Sequence, residues 1–395
     1  MRRGPILLAA SMAAIALVAT GARAGTRTAK VAQVTLAGWS SGPDEDKLLT
    51  QVVDKFNQTH PTIHAALSFI NTDYTGTMES RFAHHDPPDV FYVDSSVAPA
   101  WEAQGLIEPL NAYIDKSRYD TTKFFPSVLQ AFMVGDQVYG FPKDWTPLAM
   151  EINTAMLKKV HTIQPRNWTE LESVAQKMET DGIVPHGKPI CISADWARML
   201  PFVFQNQGSL ANVQSPAVKQ AIDWYVGLFT KGLAATPKEL GDTWCGEALG
   251  QQKAAIIFQG NWLLPFMSTT YPHVNYTIYP MIRQITGGNL AFTVSYSMAK
   301  DAKNKDAAWT LLSWLTSKEG QALWTSKGLA LPTRTDVPVT GPRANFMVAA
   351  LYSRVWAFPN FTKTYTVMND DLNAVIAGSK SVEQMLADVA SSLKG

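Results

Sequence analysis

The pentapeptide Gly38-Trp39-Ser40-Ser41-Gly42 matches G-x-S-x-G, the sharp turn that presents a serine nucleophile between a strand and a helix. The chemistry would be acyl transfer by a secreted hydrolase. Position argues against it. Such an elbow needs earlier strands to form its sheet and supply an oxyanion hole, and only about 14 residues of a processed chain precede Gly38. Asp94, Asp144 and Glu247 offer a second catalytic option, the paired carboxylates of a glycosidase, although carboxylates of this kind more often cap helices or face solvent. Metal chemistry is weaker still. His84-His85-Asp86 precedes two prolines, His60 and His64 flank another, and neither set gives an i, i+4 helical ligand pair. No zincin, P-loop or dinucleotide fingerprint occurs, so no metal or cofactor is expected, and the chain is not expected to be an enzyme.

A different chemistry fits the tryptophans, of which there are 12. A flat, amphipathic ligand needs an aromatic face for its apolar side and planar polar groups for its polar edge. In open α/β sheets such groups gather beyond the C-terminal ends of strands. Trp39, Ser40 and Ser41 follow a first strand, and Asp94, Ser95 and Ser96 follow Val90-Phe91-Tyr92-Val93. Asp144, Trp145 and Thr146 follow Phe141-Pro142, while Asn261 and Trp262 follow Ile256 to Gln259. Tyr296 lies on a later crossing segment. Trp196, beside Asp195 and Arg198, is a weaker candidate because no strand clearly precedes it. Trp224, Trp309, Trp314 and Trp324 have core-like helical spacing and read as packing.

These residues need elements to hold them. Val31 to Gly38 reads as a strand, and Pro43-Asp44-Glu45-Asp46 opens a helix with Leu48, Leu49, Val52, Val53 and Phe56 on one face. A strand around Ile63 to Ile70, a helix near Thr75 to Ala83, and a buried strand ending at Asp94 continue the rhythm. A helix follows over Ser96 to Gln104. The rhythm restarts at Val138 to Pro142 and Leu148 to Ile152. Asn167 caps a helix with Glu170 three residues later. Strands at Lys253 to Gln259 and Ala291 to Met298 follow, then helices at Lys305 to Ser317, Lys318 to Lys327, Asp370 to Ile376 and Val382 to Leu393. Alternating strands and helices of this kind predict an α/β fold with a mostly parallel sheet in each of two lobes.

The N-terminus sets the compartment. Met1-Arg2-Arg3 is basic, Ile6 to Val18 is apolar apart from Ser11, and Ala22-Arg23-Ala24 is a small-x-small cleavage pattern before Gly25. The apolar run is short for a hydrocarbon core of ~30 Å, so residues 1–24 read as a cleaved signal peptide rather than an anchor. No cysteine follows to carry a lipid, and the expected location is a periplasm. Removing Arg2, Arg3 and Arg23 turns 34 basic and 33 acidic residues into 31 and 33. That balance carries no footprint for nucleic acid or an anionic membrane. About 370 residues exceed what one core supports, so two domains are expected. Cys191 and Cys245 form a possible disulfide in an oxidising compartment. The N-x-[S/T] sequences at Asn57, Asn167, Asn275 and Asn360 are expected to be chance matches.

The ordered motifs resemble the family 1 extracellular solute-binding proteins of carbohydrate ABC importers, which include maltodextrin- and trehalose-binding proteins. The segments that carry the likeness are Pro88 to Asp94, Gln104 to Leu110, Val138 to Pro142 with Leu148 to Asn153, and Asn167 to Leu171. Ala254 to Gln259 with Gly260-Asn261-Trp262, Ala307 to Gly320, and Gly328 to Arg334 complete the set. The resemblance implies a two-lobed type II periplasmic binding protein with an interlobe ligand cleft. Its lobes would be residues 30–143 plus 295–342 and residues 146–290 plus 344–395, with hinge crossings near 143–146, 289–295 and 341–344. It implies a carbohydrate ligand (mono-, di- or short oligosaccharide), a membrane permease partner, and a monomer that does not insert into the membrane. A non-transport sugar receptor would use the same cleft. Residue by residue, Trp262 matches a sugar-stacking Trp and Tyr365 another stacking aromatic. Ser96 and Thr146 fall where relatives place carboxylates, and Val93 where they place a Trp. Those departures point away from maltodextrin and toward a different, shorter sugar.

Overall fold

The computed structural model describes Met1 and residues 31–355, 358 and 361–394. The rest of the leader and the sequon at Asn360 lie outside the described residues. Thirteen strands are described: β1 (Ala32–Trp39), β2 (Ile63–Ile70), β3 (Val90–Asp94), the short β4 (Met133–Val134) and β5 (Gln137–Val138), β6 (Gly140–Pro147), β7 (Ala149–Asn153), β8 (Lys188–Cys191), β9 (Ala234–Ala235), β10 (Ala254–Gln259), β11 (Tyr276–Tyr279), β12 (Asn289–Met298) and β13 (Ser353–Val355). They make two main sheets. The first runs β13-β12-β3-β1-β2 with β6 also on β12, and the second runs β11-β7-β10-β8-β9.

Parallel pairing is present in β1/β2, β1/β3, β12/β13, β10/β8 and β8/β9. Each sheet also takes antiparallel members. β12 runs antiparallel to β3 and β6, and β7 antiparallel to β10 and β11. The cause is the path of the chain. β6 pairs in the first sheet, turns at Leu148, and re-enters as β7 in the second, so its direction is set by the crossing rather than by a helical return.

The helix Pro43–Thr59 shows how the sequence writes an element. Pro43 lies in the first turn, three acids face the N-terminal dipole, and Leu48, Leu49, Val52, Val53 and Phe56 are buried. Each such side chain contributes about 1.5–3 kcal/mol of burial. The helix Trp168–Thr180 is capped by Asn167, which accepts from the Glu170 N–H at 2.9 Å. The Glu170 carboxylate accepts from the Arg166 backbone N–H and guanidinium.

Two large cores result. One gathers Leu36, Val52, Phe91, Met298 and Leu311 around the first sheet. The other gathers Ile152, Leu171, Ile190, Phe202, Ile222, Ile256 and Met368 around the second. A smaller cluster of Val128, Trp145, Ile278, Ala291, Leu331 and Phe346 sits where the chain passes between them. Arg343 and Asn345 tie this junction together, donating to the Thr325 and Ile278 carbonyls at 3.0 Å each. Cys191, ending β8, is disulfide-bonded to Cys245 at the start of the helix Cys245–Gly250. Among the described residues no helix is long and apolar enough to cross a membrane.

Candidate functional site

A cavity of about 190 Å³ opens where the ends of β1, β3, β6 and β10 meet. From the first sheet's side it is lined by Trp39, Ser41, Glu45 and Asp94, and from the crossing strands by Lys143, Asp144, Thr146, Phe292, Thr293 and Val294. Trp262 faces them from the second sheet, and Leu329 and Ala330 close one side. Six residues read from the sequence are therefore brought together: Trp39, Ser41, Asp94, Asp144, Thr146 and Trp262.

Trp39 is fixed edge-on by Tyr74 and Tyr92, with ring centroids 5.1 Å away in both cases. Tyr74 is itself pinned, its hydroxyl donating to the Tyr92 carbonyl at 2.9 Å. On the opposite wall the indole N–H of Trp262 donates to Gln259 Oε1 at 3.0 Å, and its ring meets Phe292 edge-on at 5.6 Å. Gly260 permits this approach. A Cβ there would lie 2.5 Å from both the Trp262 ring and Thr146 Cγ2, so no larger residue fits between the walls.

The polar groups are acidic. Lys143, only 2% exposed, lies over the rings of Tyr92 and Trp324 and pairs with Asp144, with Glu45 3.9 Å away. The same Asp144 Oδ2 accepts the Trp324 indole N–H at 3.0 Å. Burial raises the Asp94 pKa, opposed by two hydrogen bonds from Ser96 and reinforced by the Asp144 charge. Burial likewise raises Glu45, opposed by Lys143 and reinforced by Asp144. Buried carboxylates held beside aromatic planes are acceptors for hydroxyl donors.

Several expectations are corrected. Trp145 is fully buried; its indole donates to the Pro332 carbonyl at 2.9 Å, and the ring packs the junction rather than the cavity. It sits on β6, whose residues alternate sides, so Asp144 and Thr146 face the cavity and Trp145 turns away. Trp196 is also fully buried in the second core, although a strand does precede it, β8. Tyr296 is 1% exposed and packs against Tyr92. Asn261 is fully buried, donating to the Gly328 and Leu329 carbonyls at 3.0 Å each, and so ties β10's loop to the opposite side.

Ser40 donates to Asp46 Oδ2 at 2.5 Å and is not among the residues that line the cavity. Ser96 supports Asp94 through its N–H at 2.8 Å and its hydroxyl. Tyr365 stacks on Phe361 at 5.5 Å against the core of the second sheet, outside the cavity lining. Glu247 accepts from Thr243 near the disulfide and does not join Asp94 and Asp144. Among the described residues no group of three or more His, Cys, Asp or Glu is placed to hold a metal ion.

The sequence reading missed Glu45, Lys143 and Phe292. Glu45 reads as a dipole partner of its helix, yet that helix starts just beyond the end of β1, where site residues gather. Lys143 adjoins Asp144 and could have been found with it. Phe292 carries no local signal beyond its strand.

The model of the family described as bacterial extracellular solute-binding protein matches residues 39–322, and the chain belongs to that family. A binding protein of Brucella abortus is 24% identical over 313 residues, covering 73% of this chain and 74% of that protein. The fold is shared with the ABC substrate-binding protein Lmo0181 from Listeria monocytogenes, solved in complex with cycloalternan: TM-score 0.80, 18% identity, 92% of this chain and 98% of that one. It is shared equally with the sugar-binding protein MalE of Xanthomonas citri: TM-score 0.78, 21% identity, 91% and 96% covered. The fold is thus the two-lobed, type II binding-protein fold, and the chain is a solute-binding protein.

Proposed function

We propose that this protein is the periplasmic substrate-binding component of an ABC importer. It captures a carbohydrate, a mono-, di- or short oligosaccharide, between its lobes and delivers it to a membrane permease. The observation that carries this reading is the meeting of Trp39, Trp262, Asp94 and Asp144 at one interlobe cavity. Aromatic faces suit the C–H patches of a sugar ring, and the carboxylates suit its hydroxyls. The cycloalternan complex of the Listeria protein and the naming of the Xanthomonas protein as sugar-binding support the same class.

Closure would pivot on the segments near 143–146, 289–295 and 341–344, where β6, β12 and the turn at Gly341–Arg343 pass between the sheets. A solute that touches both walls favours the closed form, because only differential contact shifts the balance between two states. The role is binding and release, not bond cleavage. Removal of residues 1–24 would leave a monomer in the periplasm. A thermal-shift screen of the processed chain against mono-, di- and trisaccharides tests the reading. Stabilisation by at least one neutral sugar is expected. No shift with any carbohydrate, together with a shift by a peptide or polyamine, overturns it.

A further inference from the structure

We propose that the cleft sets a wall of hydrogen-bond acceptors against a donor fork, Arg198, and thereby selects uncharged polyhydroxylated solutes over anionic ones. The inference rests on the carbohydrate reading above and narrows it. Glu45, Asp94 and Asp144 line the first-lobe side and the crossing. The cation among them, Lys143, is committed to Asp144 and to two aromatic rings. Asp94 Oδ2 and Asp144 Oδ1 accept no hydrogen bond among the described residues. That wall therefore receives protons and repels negative charge.

On the opposite side, Arg198 is not itself in the cavity lining but stands beside two residues that are. Arg198 lies in the first turn of the helix Trp196–Gln205, and its guanidinium carbon is 6.0 Å from the Trp262 ring centre and 5.7 Å from that of Phe292. Both rings line the cavity. Asp195 holds Arg198 only loosely, with Nη1 3.6 Å from Oδ2, beyond hydrogen-bond length. Arg198 Nε has no acceptor among the described residues. The side chain is 21% exposed, so its terminal donors remain reachable.

A planar fork beside aromatic rings can address two neighbouring oxygens at once, which a lysine cannot do. A hydroxyl both donates and accepts. A vicinal diol can therefore give its protons to Asp94 or Asp144 while taking donors from Arg198. A carboxylate or phosphate can satisfy the fork but meets three acidic groups across a narrow cavity. Asp195 also cancels part of the Arg198 charge without removing its donors. Anion capture is thus disfavoured, and hydroxyl recognition is kept.

Calorimetric titration tests this with a neutral sugar found in the screen, its uronate analogue, and deoxy analogues lacking one hydroxyl each. The wild type should bind the neutral sugar at least about tenfold tighter than the uronate. Arg198→Gln should weaken the neutral sugar about ten- to hundredfold, the scale of lost hydrogen bonds to a charged group. Arg198→Lys should restore only part of that loss. One deoxy analogue should bind poorly to the wild type yet lose nothing further in Arg198→Gln, a coupling that a merely structural role would not produce. Equal or tighter uronate binding, or an Arg198→Gln variant that binds as the wild type does, overturns the inference while leaving the carbohydrate reading intact. A protein that binds no neutral sugar overturns both.

Discussion

Gln259 holds Trp262 in place: its side-chain oxygen accepts the indole N–H at 3.0 Å, while its backbone N–H donates to Glu151 Oε2 at 2.9 Å. Gln259 is 2% exposed and Glu151 is fully buried, its pKa raised well above the ordinary carboxyl value by burial. The end of β10 is thus secured from within before the chain turns through Gly260 and Asn261 to the cleft. Gln259→Leu should weaken ligand binding about tenfold, the cost of one lost orienting hydrogen bond. Gln259→Glu, which still offers an oxygen to the indole, should recover most of it. Titration monitored by tryptophan fluorescence reads both, and equal affinities in all three proteins would remove Gln259 from the account.

Asn261 joins the two sides of the junction through the Gly328 and Leu329 carbonyls. Asn261→Ala leaves both carbonyls without this donor. A loss of about 1–3 kcal/mol in unfolding free energy is expected, with weaker solute binding because the walls are less firmly apposed. Urea unfolding with and without ligand separates the two effects.

Much of this was legible beforehand, and the gaps have physical causes. Strand ends were readable because β-branched runs stop abruptly at Trp39, Asp94 and Gln259, so the residues just beyond them could be named. Direction along a strand was not. Whether Asp144 or Trp145 faces the cavity depends on the register of β6 against β12, which shifts at Val294/Ser295. Burial was equally hidden for Trp196 and Tyr296, since an aromatic beside polar residues reads the same in a core or a cleft. Arg198 appeared only as a neighbour of Trp196, because its significance lies in two rings, Trp262 and Phe292, far from it in the chain. The antiparallel entry of β7 came from the crossing path, a tertiary constraint with no local pattern.

The Cys191–Cys245 bridge spans a sequence separation of 54 and pins the helix Cys245–Gly250 to the end of β8. Cross-links of this loop size stabilise by about 3–4 kcal/mol in the chain-entropy account. Replacing both cysteines with serine, or unfolding under reductant, should lower stability by that amount. An unchanged denaturation midpoint would show that the bridge is absent from the secreted protein.

Glu102 gives a pH signature away from the cleft. It is 9% exposed, its Oε1 has no hydrogen-bond partner among the described residues, and burial pushes its pKa up to about 7 from 4.5. The folded state therefore holds this proton more tightly than the unfolded state. Its stabilising contribution is complete below pH 4.5 and is lost as pH rises through 7. Glu102→Gln removes the dependence. The variant should match the parent at pH 4 and exceed it at pH 8 by on the order of 2 kcal/mol, measured by denaturant unfolding at the two pH values. A variant less stable than the parent at pH 8 would contradict the assignment.

The central claim is that a sugar is held between the walls carrying Trp39 and Trp262. Titrating the best neutral sugar from the screen into wild type and Trp262→Ala by calorimetry tests it most directly. A single site is expected in the wild type, weakened at least about thirtyfold in the variant by loss of an aromatic platform worth about 2 kcal/mol or more, with the sugar recovered intact. Unchanged affinity in Trp262→Ala, or a sugar returned cleaved, would contradict it.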